Sequence, residues 1–218
     1  MKKKLLTIIT SIFCFIGFAQ VFTIDDIYYQ TTSNNEVMII QNPDPFDYTS
    51  LPSFFIIPDQ VTYDGTTYNI TAIGHYAFAD KLLMEVYIPS SIKDIGIYAF
   101  SGNQLTDIVI SEGVMNIEDS AFIGNKLTSV VIPESVTNIE EYAFYGNPLI
   151  NVIALGSTPP TTKDSTFEKL EDNVFSNRTN ITLMIPPGTT NAYTTTGWTG
   201  FKEITEEVAI WSGNNGSD

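Results

Sequence analysis

Histidine and cysteine are almost missing from this chain. His75 and Cys14 are the single examples of each, and 10 basic residues stand against 25 acidic ones. Each shortage removes a class of function. Catalysis and metal binding need converging partners, so a lone His75 is read as a solvated turn position, with no catalytic residue, no metal and no cofactor expected. The acidic excess repels phosphate backbones, which sets nucleic acid aside as a partner. Also missing are an Asp-x-Asp-x-Asp-Gly calcium loop, a glycine-rich phosphate loop and a serine-nucleophile motif.

No apolar run is long enough to span a bilayer. The longest, Leu5 to Phe18, covers about 14 residues where about 20 are needed. It follows Lys2, Lys3 and Lys4, and small residues Gly17 and Ala19 stand ahead of Gln20, so residues 1–19 are predicted to be a cleaved secretory signal. Cys14 lies inside that apolar stretch behind Phe13, a poor context for lipid attachment. Removing the signal leaves no cysteine, so no disulfide can hold the exported fold. It also leaves seven basic residues against 25 acidic ones, a formal charge of −18. The expected location is outside the cell or on its surface, in a Gram-negative bacterium, without membrane insertion.

What is present is a period. Phe78, Phe100, Phe122 and Phe144 stand 22 residues apart, as do Ile73, Ile95, Ile117 and Ile139. Ala77, Ala99, Ala121 and Ala143 keep step, and so do Leu83, Leu105, Leu127 and Leu149. Fixed apolar columns with variable polar positions between them mark a solenoid, whose coils stack so that equal positions touch. One coil buries too few side chains to offset the entropy of ordering it, so neighbours are obligatory.

Within a unit, "LTDIVI" and "LTSVVI" carry the Leu-x-x-Leu-x-Leu spacing of a leucine-rich repeat, with β-branched residues suited to a short strand. Pro89 and Pro133 lack an amide hydrogen and favour a strand end. Gly102-Asn103, Gly124-Asn125 and Gly146-Asn147 are expected to turn the chain, both residues tolerating positive φ. The fold class is thus a leucine-rich repeat solenoid, mostly β with short helical turns, with one parallel sheet along a face and a β-hairpin N-terminal cap.

The series "IGIYAFSGNQLTDIVISEGVMNI", "IEDSAFIGNKLTSVVIPESVTNI" and "IEEYAFYGNPLINVIALGSTPP" resembles the BspA-like family of bacterial leucine-rich repeats. "VTYDGTTYNITAIGHYAF" is similar to that family's entry hairpin, and "LMIPPGTTNAYTTTGWTGFKEI" to its closing segment. The resemblance implies adhesion to host matrix proteins or other cells. Two features depart from it. The family often places Cys in the turn where this chain has Asn103, Asn125 and Asn147, and Ser91, Gly113 and Ser135 replace the Asn common after the strand in other leucine-rich repeats.

The resulting organisation is a signal at 1–19, a hairpin cap at 20–72 and four repeats at 73–160. An irregular last repeat with a C-terminal cap follows at 161–208, then a linker-like end at 209–218. Hairpin turns are expected at Ser33-Asn34-Asn35 and at Asp64-Gly65, with residues 41–50 as a loop. Because inward and outward residues alternate along a strand, Tyr87, Val109, Val131 and Ile153 form an outward apolar stripe beside Glu85, Asp107, Ser129 and Asn151. These eight residues are the candidate binding face. Tyr76, Tyr98 and Tyr142 are read mainly as partial core, with carbohydrate contact as the lesser alternative. Asp119-Ser120-Ala121 and Asp164-Ser165-Thr166 resemble a bacterial O-glycosylation signal. The expected partner is an extracellular protein or glycan, bound by a monomer; a passive spacer before a further C-terminal module and a polysaccharide-active enzyme are the alternative functions.

Overall fold

The computed structural model describes residues 19–44, 51–162 and 174–206. The predicted signal with Cys14, the motif Asp164-Ser165-Thr166 and the end at 209–218 lie outside the described residues, apart from Ala19.

The N-terminal strands are β1 (Val21–Ile24), β2 (Ile27–Ser33), β3 (Glu36–Ile40), β4 (Phe54–Ile56), β5 (Gln60–Tyr63) and β6 (Thr66–Ile73). Each regular coil then gives one four-residue strand and one two-residue strand. These are β7 (Glu85–Ile88) and β8 (Asp94–Ile95), β9 (Asp107–Ile110) and β10 (Asn116–Ile117), β11 (Ser129–Ile132) and β12 (Asn138–Ile139), and β13 (Asn151–Ala154) with β14 (Thr161–Thr162). A 3₁₀ turn at Arg178–Asn180, β15 (Thr182–Ile185), α1 (Thr190–Thr195) and β16 (Glu203–Glu206) close the described chain.

Both expected hairpins form, β2–β3 and β5–β6. The first grows into a meander, because Asp25 and Asp26 adopt positive φ and fold β1 back on β2. Phe22 anchors this cap, its ring 4.3 Å from Tyr63 and stacked on it, with Tyr29 and Tyr68 alongside. β3 pairs in parallel with β6, and β6 with β8, so the cap also continues the hydrogen bonds of the solenoid. β4 lies inside the stretch assigned to the hairpin cap, yet pairs in parallel with β7 as an extra coil's strand.

Each coil has three sides. The four-residue strands form the first, and their inward residues, such as Val86, Ile88, Val130 and Ile132, are buried. The two-residue strands continue from the end of β6 as a second parallel ladder, β6-β8-β10-β12-β14, which was not expected from the crossing segments. The Ala-Phe corner is the third. There the Phe78, Phe100, Phe122 and Phe144 rings stack at 5.2, 5.2 and 5.3 Å, and Phe175 extends the spine at 5.8 Å across the break in period.

The glycines turn the chain as expected, with φ of 65°, 69° and 73° at Gly102, Gly124 and Gly146. The asparagines do something else. Asn103, Asn125 and Asn147 have negative φ and are buried, so their role is not conformational. Asn125 Nδ2 donates to Phe100 O at 2.9 Å and to Phe122 O at 3.0 Å, while its Oδ1 accepts from Leu105 N at 3.1 Å. Asn103 and Asn147 repeat the arrangement one coil away on either side. The polar columns after the strand are filled differently. Ser135 Oγ accepts from Gly113 N at 2.9 Å and donates to Val114 O at 2.8 Å, bridging two coils. Gly113 has φ of 124°, and a Cβ there would sit 2.3 Å from Ser90 O, so no larger residue fits without movement.

The first side departs from a continuous sheet. β4-β7-β9 form one ladder and β11-β13-β15-β16 another. Ser111 N donates to Ile88 O at 3.1 Å and Leu155 N to Ile132 O at 3.0 Å, but the equivalent position between β9 and β11 is Pro133, which has no amide hydrogen. Proline at the strand end does not by itself account for the break, because Pro89 and Pro186 hold the same column at β4–β7 and β13–β15, which do pair. Ile108 and Ile110, at 8% and 7%, are less covered than Val130 and Ile132, at 2% and 1%.

The corner bonds run against those of the strands. Tyr98 N, Phe100 N and Gly102 N donate forward to Asp119 O, Ala121 O and Ile123 O of the next coil, whereas Gly96 N, Gln104 N and Ser111 N donate backward. At the C-terminal end Trp198 and Tyr193 cover the last coil, Trp198 Nε1 donating to Pro160 O and the Tyr193 hydroxyl to Gly156 O. Arg178 lies over Phe175 and Phe201, and the Glu206 carboxylate accepts from Gly188 N and Thr190 N.

Burial pushes the Tyr193 phenol from 10.0 up to about 12, and burial assisted by Asp25 does the same to Tyr29. The folded state then keeps these protons where the unfolded state releases them. Their contribution to stability is complete below pH 10.0 and is lost as pH rises from there through about 12. Tyr193→Phe is expected to flatten part of that decline, as read from urea midpoints on both sides of pH 10.0.

Candidate interaction face

Parallel pairing places equal columns side by side. Glu85 pairs with Asp107 and Tyr87 with Val109, while Ser129 pairs with Asn151 and Val131 with Ile153. All eight residues lie on the outward face, as alternation along the strands requires. Tyr87 and Val109 are 39% and 47% exposed, whereas Val131 and Ile153 are half-buried. Glu85, Asp107 and Ser129 are exposed and Asn151 is half-buried. The seam after β9 divides the eight into two groups of four.

The face also extends beyond those residues. Phe54 pairs with Glu85 and Ile56 with Tyr87, adding two apolar side chains that are 52% and 55% exposed. At the other end Met184 follows Ile153 in register. Aligning "FFIIP" at 54–58 on "EVYIP" at 85–89 would have found β4, since both place an inward Ile before Pro. The offset there is 31 residues instead of 22, which hides it from the period.

The tyrosine column belongs to the surface more than to the core. Tyr76 and Tyr142 are 43% and 36% exposed and Tyr98 is half-buried. All three have φ between 55° and 57°, and the Tyr76 and Tyr98 amides donate forward to Ile97 O and Asp119 O. The Tyr76 and Tyr98 rings stack at 5.0 Å, and Tyr142 meets Tyr145 edge-on at 5.5 Å. Ser120 holds the same column and is buried, its hydroxyl donating to Asp119 Oδ1 at 2.5 Å. The Asp119-Ser120-Ala121 motif therefore presents no accessible hydroxyl in the folded chain. His75 is exposed, and Ile97 N divides its hydrogen bond between His75 Nδ1 at 2.9 Å and Glu118 Oε2 at 3.1 Å. That geometry braces three successive coils.

The profile of the BspA type leucine rich repeat region matches residues 71–196 in six copies. The chain belongs to this family. The BspA-type repeats thus continue past the four units of strict period, consistent with β15 and β16 extending the strand ladder. A leucine-rich repeat protein from Bacteroides capillosus is similar over 62% of this chain and 97% of its own, with 25% identity and a TM-score of 0.53. The pneumococcal vaccine antigen PcpA matches 87% of this chain at 20% identity and a TM-score of 0.53, which concerns the fold alone. This chain spans about half of PcpA, 50% of that chain. The comparison with curated proteins gives no match. BspA-type repeats occur in bacterial surface-type proteins, and among the described residues no helix is long and apolar enough to cross a membrane.

Proposed function

We propose that this BspA-type chain is an exported, surface-associated adhesion module that holds an extracellular protein on the outer face of its strands. The observation that carries the reading is the outward row Ile56, Tyr87, Val109, Val131, Ile153 and Met184, contributed by successive coils. Apolar side chains left on an ordered open face, with polar neighbours beside them, favour association. Glu85 and Asp107 stand side by side on that open surface instead of facing each other across a bound sugar, an arrangement that suits contact better than glycoside cleavage.

The test is binding of the purified protein to a panel of matrix proteins and glycans, with Tyr87→Ala and Val109→Ser compared. Each substitution is expected to weaken protein binding by about tenfold, as for exposed residues at the centre of an interface. Their exposure keeps the stability change small, within about 0.5 kcal/mol. Unchanged binding in both variants would remove this face as the site. A glycan reading has its own observation, the exposed Tyr76–Tyr98 stack, and Tyr76→Ala would weaken binding to a glycan while leaving protein binding intact.

A further inference from the structure

Glu85 and Asp107 are directly opposite each other on neighbouring parallel strands, both exposed. Strands lie about 4.8 Å apart, and like charges facing each other across that gap repel. Neither carboxylate has a hydrogen-bond or ion-pair partner among the described residues. The next two coils carry the neutral Ser129 and Asn151 in this row. Glu203 re-enters the row at its far end beside Thr182, so the adjacent pair of carboxylates stands apart from it, on the part of the face where the apolar row is most exposed, at Ile56, Tyr87 and Val109.

We infer that the outer face of β4, β7 and β9 takes an extended basic segment of a partner protein, with an arginine or lysine two residues away from a large apolar side chain. This rests on the reading of the strand face as the binding surface. The cation settles between Glu85 and Asp107, and the apolar side chain settles on Tyr87 with Ile56 and Val109 around it. The spacing follows from geometry. Glu85 and Tyr87 are two positions apart on one strand, about 6.6 Å, and residues i and i+2 of an extended segment share both that distance and one side. A second copy of this chain is a poor occupant because the face would set carboxylates against carboxylates, and an anionic lipid surface is repelled in the same way.

The experiment is an amide-shift NMR titration of the purified protein with a peptide of three Arg-Ser-Val-Ser units. Controls replace every Arg by Glu, or every Val by Ser. The basic peptide is expected to shift the amides of Glu85, Tyr87, Asp107 and Val109. Its affinity should fall at least about tenfold for the double variant Glu85→Gln with Asp107→Asn, which should also lose most of its salt dependence. Tyr87→Ala should weaken binding while leaving the salt dependence in place. Thermal unfolding of the double variant at or above the parent's midpoint would verify that the loss is not misfolding, since a repulsion has been removed. Equal binding of the Glu peptide, equal binding by the double variant, or no shifts on this face would each overturn the inference. If Tyr87→Ala weakens protein binding but the double variant does not, the strand face stands and the basic partner falls.

Discussion

Asn125→Ala should cost on the order of 3 kcal/mol, because it removes three buried hydrogen bonds at once and leaves Leu105 N without its acceptor, while Phe100 O and Phe122 O each keep one donor, from Asn103 and Asn147. The lost bonds lie inside an interior that water does not reach. The chain has no disulfide to absorb such a loss, since the only cysteine, Cys14, lies in the predicted signal. Urea unfolding followed by circular dichroism measures the effect as a lower midpoint. Asn125→Asp separates hydrogen bonding from packing, because Asp keeps the shape and the acceptor but cannot donate while ionised. It also aims a negative charge at two carbonyl oxygens. It should be at least as damaging as Ala; a near-parental midpoint would show that the two donated bonds contribute little.

Phe122→Ala is expected to be at least as severe, about 3–5 kcal/mol, because a fully buried aromatic ring is removed and a cavity is left. Phe122 is stacked between Phe100 and Phe144 at 5.2 and 5.3 Å, so neither neighbour can move in without leaving its own stack. Phe122→Leu fills most of the volume and should lose less than half as much. The two predictions are linked. Phe122 O accepts from both Asn125 Nδ2 and Asn147 Nδ2, so the aromatic spine and the amide ladder share an anchor. The Phe122→Ala and Asn125→Ala double variant should lose less than the sum of the single losses, a coupling that a double-mutant cycle measures.

The solenoid was legible from its columns because a period needs only positions, and each apolar column, from Ile73 to Ile139 and from Phe78 to Phe144, is buried where its spacing places it. The outward stripe was legible for a similar reason, since alternation along a strand is a local rule. What escaped depends on neighbours. Whether Tyr87 and Val109 are more exposed than Val131 and Ile153 is decided by the strands beside them. The role of Asn103 was misread because Gly-Asn is a familiar turn pair, and nothing in one coil shows that its amide reaches Phe78 O of the coil before. The break between β9 and β11 has no mark of its own in the sequence, since proline at the position of Pro133 recurs as Pro89 and Pro186 beside junctions that do pair. β4 and Phe175 were hidden by insertions that shift the count without shifting the packing.

The opposed bonds of corner and strand bear on heredity. A coil gives hydrogen bonds forward at its corner and backward along its strands, and its neighbours do the same, so each junction between regular coils repeats nearly the same set of partners. A coding segment for one regular coil can therefore be duplicated or excised by recombination, and the surrounding junctions reform from the same atoms. Copy number becomes a trait that selection can adjust without redesigning the core. The seam between β9 and β11 and the two caps are the places where such an exchange would meet a junction unlike the others.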